Sequence, residues 1–316
     1  MSAVAAHAPE LALAVDLGGT KVEAALVNAH GELIEASRFR APTGRTASSE
    51  ELAESVDSVV SQALAALPPH AELIGVGIGS AGPITVDAGL VSPLNLPQWR
   101  DFALRDHVAR LVPGVAVVLR MDGECITIAE HWVGAAQGEN NLMGMVVSTG
   151  IGGGLILGGA AVAGPSGNAG HVGHIEVGGF DDACGCGGTG CVEAVASGPK
   201  TTAWAQSQGW TGTTGEDLAA SYAAGDEIAI AAVKRSGLAI GQAIASATSL
   251  LDLDVVAIGG GFSHVTPDLF DFVRQAIAAR ATFPFVTKVR VIPSALGGDG
   301  PLIGAAALIH RAAVAS

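Results

Sequence analysis

The sequence predicts an α/β fold built as two lobes, and three observations carry that prediction. Strands pair locally at the start of the chain and then alternate with helices. Glycine-rich loops near Asp16, Thr149 and Gly260 each follow an apolar strand, like echoes of one motif. The 316 residues, 49% apolar and 15% charged, are enough for one large domain or two lobes with ample core.

Leu11–Val15 reads as a buried strand. Lys21–Val27 and Glu32–Arg40 read as two more, joined by a turn at Asn28–Gly31. Ser48-Ser49-Glu50-Glu51 has the polar, acidic start of a helix, which runs to about Leu67 and stops at Pro68-Pro69. Leu73–Ile78 and Val115–Leu119 are strands, and Asp122–Gly134 is helical. The uncharged stretch Leu142–Gly164 is long enough to suggest a membrane span, but Ile151-Gly-Gly-Gly154 would break a spanning helix. It reads as strand, turn, strand, with the strands at Met143–Ser148 and Leu155–Leu157. Helices follow at Gly198–Ser207, Gly215–Ala224 and Ile228–Leu251, then a strand at Val255–Ile258. A helix over Pro267–Ala279, a strand over Val289–Ile292 and a helix over Gly300–Ala312 close the chain.

A net charge of -14 argues against a general nucleic-acid or anionic-membrane binder. It leaves room for an anionic ligand held by backbone N–H groups and a cation. The start of the chain lacks a basic segment followed by a long apolar run, so no signal peptide is expected. Four cysteines, three of them in one cluster, fit a reducing compartment.

That cluster is Cys184-Gly-Cys186-Gly-Gly-Thr-Gly-Cys191, with His174 shortly upstream. Three thiolates and one imidazole make a closed tetrahedral zinc shell, the usual structural arrangement. A disulfide is the competing reading, but Cys184 and Cys186 are too close to pair comfortably and Cys191 would stay unpaired. Asp16-Leu-Gly18-Gly19-Thr20-Lys21 offers backbone N–H groups, a hydroxyl and an ammonium to phosphate, with Asp16 placed for hydrated Mg²⁺. A tight hairpin turn would need only the glycines. Ser148-Thr149-Gly150-Ile-Gly152 repeats the theme, and Gly259-Gly260-Gly261 leaves bare backbone for a nucleoside. Gly77-Ile-Gly79-Ser-Ala-Gly82 matches a dinucleotide fingerprint, yet the following Pro83–Val86 looks extended, not helical. Asp122, at the expected start of a helix, is either an N-cap or a base that orients a substrate hydroxyl. Glu124 and Glu130 read as helix-face residues, and Cys125 as a small buried one.

Together these residues resemble the ROK family of bacterial sugar kinases, repressors and relatives, within the actin-like ATPase superfamily. The similarity runs from Leu11 to about Ala307. Its most specific part is Gly-His174 followed by Cys184-x-Cys186-Gly-x-x-Gly-Cys191-x-Glu193. The resemblance implies a two-lobed actin-like ATPase (ribonuclease H-like) fold with a central nucleotide/sugar cleft and a structural zinc loop. It places a small domain at 1–121, completed by a helix at 301–316, and a large domain at 122–300. It implies ATP, Mg²⁺ and structural Zn²⁺, the zinc held by His174, Cys184, Cys186 and Cys191. Asp122 becomes the catalytic base. Gly82, Asn95, Met121, His171, His174 and Glu193 become sugar contacts. Asp16, Gly18, Gly19, Thr20, Lys21, Thr149, Gly150 and Gly152 serve the phosphates, and Gly259, Gly260 and Gly261 the adenosine.

The implied activity is ATP-dependent phosphorylation of the 6-hydroxyl of glucose or a close relative. An amino-sugar or N-acetylhexosamine kinase and a non-catalytic sugar sensor are the alternatives, and polyphosphate is an alternative donor. A hexose and ATP are the expected partners, without nucleic acid or membrane, in a cytoplasmic homo-oligomer (dimer or tetramer). The helix-turn-helix of family repressors is not expected, because so little sequence precedes the first strand. Two departures stand out. Met121 replaces the Asn usual before the catalytic Asp, and His171 replaces the Glu of Gly-Glu-x-Gly-His. Both family residues accept sugar hydroxyls, whereas a thioether is a weak acceptor and an imidazole carries no carboxylate. An unpaired buried hydroxyl costs about 1–3 kcal/mol, which disfavours glucose. His171 could instead prop the metal loop or compete with His174 as ligand.

Overall fold

The computed structural model describes residues 8–315. In chain order, the first elements are β1 (Glu10–Leu17), β2 (Lys21–Asn28), β3 (Phe39–Pro42), α1 (Ser49–Ala65) and β4 (Glu72–Ser80). A small hairpin of β5 (Ile84–Thr85) and β6 (Leu90–Val91) precedes α2 (Leu104–Leu111), β7 (Val117–Met121) and α3 (Asp122–Trp132). Next come β8 (Leu142–Val147), β9 (Ile151–Leu157) and β10 (Ala160–Ala161). The helices α4 (Val192–Ala196), α5 (Gly198–Ser207), α6 (Gly215–Ala223) and α7 (Glu227–Leu251) follow. The chain finishes with β11 (Val255–Gly259), α8 (Asp268–Arg280), α9 (Pro284–Thr287), β12 (Arg290–Pro293), α10 (Gly300–His310) and α11 (Ala312–Ala315).

The chain forms two compact units. The first takes the described residues through Val133, the segment Ala163–Ala169, and the chain from Asp299 onward. Its sheet has the order β3-β2-β1-β4-β7, antiparallel through β3, β2 and β1 and parallel through β1, β4 and β7. The strand Leu11-Ala-Leu-Ala-Val15 shows why both faces are covered. Leu11, Leu13, Val15 and Leu17 enter one core with Leu52, Val56 and Val59 of α1. The alternating Ala12 and Ala14 face Leu302, Ala305 and Ala306 of α10. Small residues on that face let the helix lie close, and a Cβ on Gly77 would sit 1.8 Å from the Ala305 carbonyl oxygen. The expected start of α1 is a capping box. Ser48 accepts the Glu51 N–H, and Glu51 accepts the Ser48 N–H at 2.7 Å. The segment at 163–169 is pinned by Asn168, which accepts the Ile84 N–H at 2.9 Å and donates to the Ile84 carbonyl at 2.7 Å.

The second unit comprises Gly134–Val162 and Gly170–Gly298. Its sheet, β10-β9-β8-β11-β12, repeats the pattern of antiparallel then parallel pairing. Met143, Met145 and Val147 of β8 pack into the core with Val233, Ile240 and Ile244 of α7. Gly237 and Gly241 of α7 allow α8 to approach, since a Cβ on Gly241 would lie 2.5 Å from the Ala276 Cβ. Among the described residues, α7 is the one helix long and apolar enough to cross a membrane. Its burial, 61% over the most apolar window, marks it as a core helix.

Three expectations need correction. The strand expected over Glu32–Arg40 is a 3₁₀ turn at Glu35–Ser37 followed by β3. Ser37 Oγ accepts the Leu26 N–H at 2.8 Å and donates to the Ile34 carbonyl at 2.6 Å, so a side chain takes a bond that a neighbouring strand would have made. The turn expected at Ile151–Gly154 lies earlier, at Ser148–Gly150, and the glycine run belongs to β9. A Cβ on Gly153 would meet the Gly144 carbonyl oxygen at 2.3 Å, so a close strand approach explains that glycine. Glu124 and Glu130 are buried in α3, each 1% exposed, not on its solvent face. Cys125 is buried as expected.

Candidate functional site

In the first unit the hairpin tip between β1 and β2 carries Gly18, Gly19 and Thr20. The Gly18 N–H donates to the Lys21 carbonyl at 2.9 Å and closes the turn. A Cβ on Gly19 would fall 2.7 Å from the Asn95 Cβ, so Asn95 lies directly against the loop. Leu96 and Trp99, both fully buried, anchor the Asn95–Trp99 segment and leave Asn95 exposed beside Gly19. Gly82 follows β4 and precedes a cis peptide bond to Pro83.

Asp16 sits near the end of β1 and is 8% exposed. Burial, the charge of Asp122 and the charge of Glu23 push its carboxyl up to about 7, with Lys21 opposing. Asp122 opens α3 at the end of β7, inside the helix and not as its cap. Burial pushes its carboxyl up to about 6, against the Gly123 N–H that Oδ1 accepts at 2.7 Å. Two neighbouring carboxyls held toward their neutral forms suit a divalent cation, which would relieve both. Met121 is 3% exposed and belongs to the hydrophobic core.

Glu23 belongs to no motif, and the sequence reading misses it. It pairs with Asp16 across β1 and β2 and gathers three cations. Lys21 Nζ bonds to Oε2, while Arg40 Nη2 at 2.7 Å and Arg38 Nε at 3.4 Å reach Oε1. Burial pushes the Glu23 carboxyl up, but hydrogen bonds from Lys21 and Arg40 and the charges of Lys21 and Arg38 outweigh it, so the net direction is down. Lys21 is thus held by a carboxylate beside the loop.

In the second unit the tip between β8 and β9 holds Thr149 and Gly150, closed by the Ser148 N–H to the Gly150 carbonyl at 2.9 Å. The Ile151 N–H donates to Glu193 Oε2 at 2.8 Å. Gly152 lies in open space, and a Cβ there would meet nothing within 4 Å. Gly259 and Gly260 are glycine for packing reasons. A Cβ on Gly259 would lie 2.9 Å from the Ser294 Cβ, and Gly260 has φ 91° with the Val147 carbonyl oxygen 2.5 Å from such a Cβ. Gly261 instead lines a cavity of about 580 Å³, with Ser148, Gly198, Thr202, Gln206, Glu216, Phe262 and His264. Those side chains are scattered along the chain and form no sequence motif.

His174, Cys184, Cys186 and Cys191 bring their ligand atoms within 4.8 Å of one another. Cys184 Sγ is 3.6 Å from His174 Nδ1, and Cys186 Sγ is 3.7 Å from Cys191 Sγ. A tetrahedral zinc with its usual bond lengths sets sulfur atoms about 3.8 Å apart. Burial and the neighbouring thiols push the Cys191 thiol up to about 12, a crowding that a bound cation reverses. The donor set therefore fits zinc. His171 is not among the four; its ring centroid lies 5.8 Å from that of His174. Burial and the nearby His174 lower its pKa, with Glu193 opposing, so it is held neutral. It borders an apolar pocket of about 180 Å³ lined by Met143, Leu155, Val172, Ile175 and Ala247.

The model of the ROK family matches residues 12–312. The N-acetylmannosamine kinase of Yersinia pseudotuberculosis is 34% identical over 301 residues, covering 93% of this chain and 96% of its own. A ROK family glucokinase from Streptomyces griseus, solved in complex with glucose and AMPPNP, superposes with a TM-score of 0.81 at 28% identity, covering 95% of this chain and 99% of that one. The ROK hexokinase of Thermus thermophilus gives 0.79 at 30% identity, covering 96% and 99%. The loops and the cysteine cluster thus lie inside a family pattern that spans nearly the whole sequence, and the chain belongs to the ROK family.

Proposed function

We propose that this protein is an ATP-dependent kinase acting on the 6-hydroxyl of a hexose, with an N-acetylated amino sugar such as N-acetylmannosamine as its acceptor. The observation that carries the kinase reading is a pair of neighbouring carboxylates, the buried Asp16 just before the Gly18–Lys21 loop and the half-buried Asp122, whose charge acts on Asp16. In this reading Asp122 accepts the hydroxyl proton as the sugar oxygen bonds to the γ-phosphorus and the bond to ADP breaks. Phosphoryl transfer relies mainly on positioning and charge stabilisation, so a carboxylate suffices as base. Asp16 would hold Mg²⁺, which supplies charge neutralisation at the phosphates. The tips at Gly18–Lys21 and Thr149–Gly152 offer N–H donors to those phosphates. The 580 Å³ cavity beside Gly261 has the volume for a nucleoside. His174, Cys184, Cys186 and Cys191 would hold a structural zinc with no open position for substrate. Asn95, Gly82, His171 and Glu193 are the proposed sugar contacts. Asn95 stays exposed on its anchored loop, as that role requires. Use of ATP goes with a cytoplasmic location.

The acetylated acceptor is favoured by the N-acetylmannosamine kinase at 34% identity, by a neutral His171 in place of a carboxylate, and by the apolar pocket it borders. The glucokinase and hexokinase structures at 28% and 30% identity favour glucose as a second reading. A sugar panel in a coupled ADP-release assay separates them, with Asp122→Asn as control. We expect N-acetylmannosamine to exceed glucose in kcat/KM, and the variant to lose about a hundredfold or more in kcat while keeping its metal. Glucose as the better acceptor overturns the acetylated reading. No turnover with any sugar, or a fully active Asp122→Asn, overturns the kinase reading.

A further inference from the structure

We propose that Glu193 is a positioning residue for the donor-phosphate loop, in addition to any contact with a sugar; this rests on the kinase reading above. Its Oε2 accepts the Ile151 N–H at 2.8 Å. The same oxygen would lie 2.6 Å from a Cβ on Gly150, so the carboxylate rests on the bare face of the loop. A side chain at position 150 and a carboxylate at 193 exclude each other there.

Glu193 is held where it can do this by the cysteine cluster. Cys191 bridges to Glu176, and α4 begins at the next residue, Val192, whose N–H donates to the Ile175 carbonyl at 2.9 Å. At the far end of α4, the Gly198 N–H donates to the Ser148 carbonyl at 2.9 Å, and Gly198 lines the 580 Å³ cavity. The run from Cys191 to Gly198 therefore grips the loop on both sides, at Ser148 and at Ile151. Order at the metal cluster is transmitted to the N–H donors that meet the nucleotide, because a partly buried charge-assisted bond fixes the loop before ligand arrives.

The test is the affinity of the full, zinc-loaded chain for Mg²⁺ and a non-hydrolysable ATP analogue, by calorimetry, without sugar. Glu193→Ala should weaken binding by about tenfold, the scale of one lost hydrogen bond to a charged group. Glu193→Gln keeps an acceptor oxygen and should bind within about threefold of the parent. Gly150→Ala should weaken binding in the parent and add nothing in the Glu193→Ala background. Zinc content and the melting curve of each variant check the fold. Should Glu193→Ala not fold, the contrast between Glu193→Gln and Gly150→Ala carries the test. Unchanged analogue affinity in Glu193→Ala with only a raised sugar KM overturns the proposal, and so does a Glu193→Gln as weak as Glu193→Ala or fully additive double variants. A parent chain that binds the analogue yet phosphorylates no sugar sinks the kinase reading alone, because the affinity comparison still decides the role of Glu193.

Discussion

Asp122 meets two opposed demands at the start of α3. Its Oδ1 accepts the Gly123 N–H at 2.7 Å, which favours the ionised form, while burial pushes the carboxyl up to about 6. A base must be ionised to accept a proton, so activity is lost on the acid side. We expect kcat/KM for the sugar to be flat above about pH 7 and to fall about tenfold per unit below about pH 6. Saturating Mg²⁺ removes the contribution of Asp16, because a bound cation lowers the pKa of its carboxylate ligand. A steady-state pH profile checks this. An acid limb near pH 4 would mean that Asp122 is solvated during turnover, or that another group accepts the proton.

At the scale of elements, glycine does two different jobs, and only coordinates tell them apart. Gly304 of α10 presses against α3, where a Cβ would lie 1.9 Å from the Cys125 carbonyl oxygen. Backbone cannot yield cheaply, so Gly304→Ala should destabilise by about 3 kcal/mol, seen as an earlier urea midpoint. Gly152 of β9 has nothing within 4 Å, so Gly152→Ala should leave that midpoint nearly unchanged. Equal effects would refute the assignment of either contact. Much of the fold is legible in the sequence because its signals are local. The Leu and Ala alternation of β1, the Ser48 and Glu51 box, and the cysteine spacing all act within a few residues. The short α2 has no side-chain cap and gives no such signal. The β9 glycines look like a turn until Gly144 is seen opposite them. The cavity beside Gly261 needs residues from α5, α6 and the turn after β11, which no linear motif joins. Met121 reads as a sugar contact from its place before Asp122, and nothing local to it signals its burial in the core.

On the scale of the whole molecule, the two units share one strand order, although only the glycine loops hint at it in the sequence. In each, a hairpin tip after the first strand carries the candidate phosphate donors, and parallel strands beside it bring further loops to the same edge. Such a site concentrates buried acid groups, and global stability should record the cost. Glu124 is 1% exposed, and burial pushes its carboxyl up to about 7 despite Arg120 Nε at 3.3 Å. Neither carboxylate oxygen has a hydrogen-bond partner. A raised carboxyl binds its proton more tightly when folded, so its stabilising contribution is complete below the unfolded value, near 4.5, and is lost as pH rises through about 7. Other groups also titrate in this range. Asp16 acts in the same sense, and the lowered His131 and His171 act in the opposite one. Comparison with Glu124→Gln cancels them all, because only position 124 differs. Between pH 5.5 and pH 8 the stability difference should move by about 2 kcal/mol in favour of the variant, whatever its sign at either end. Urea denaturation of both proteins at the two pH values measures it. A difference that stays constant would show that Arg120 keeps Glu124 ionised throughout, as a tightly paired buried salt bridge would.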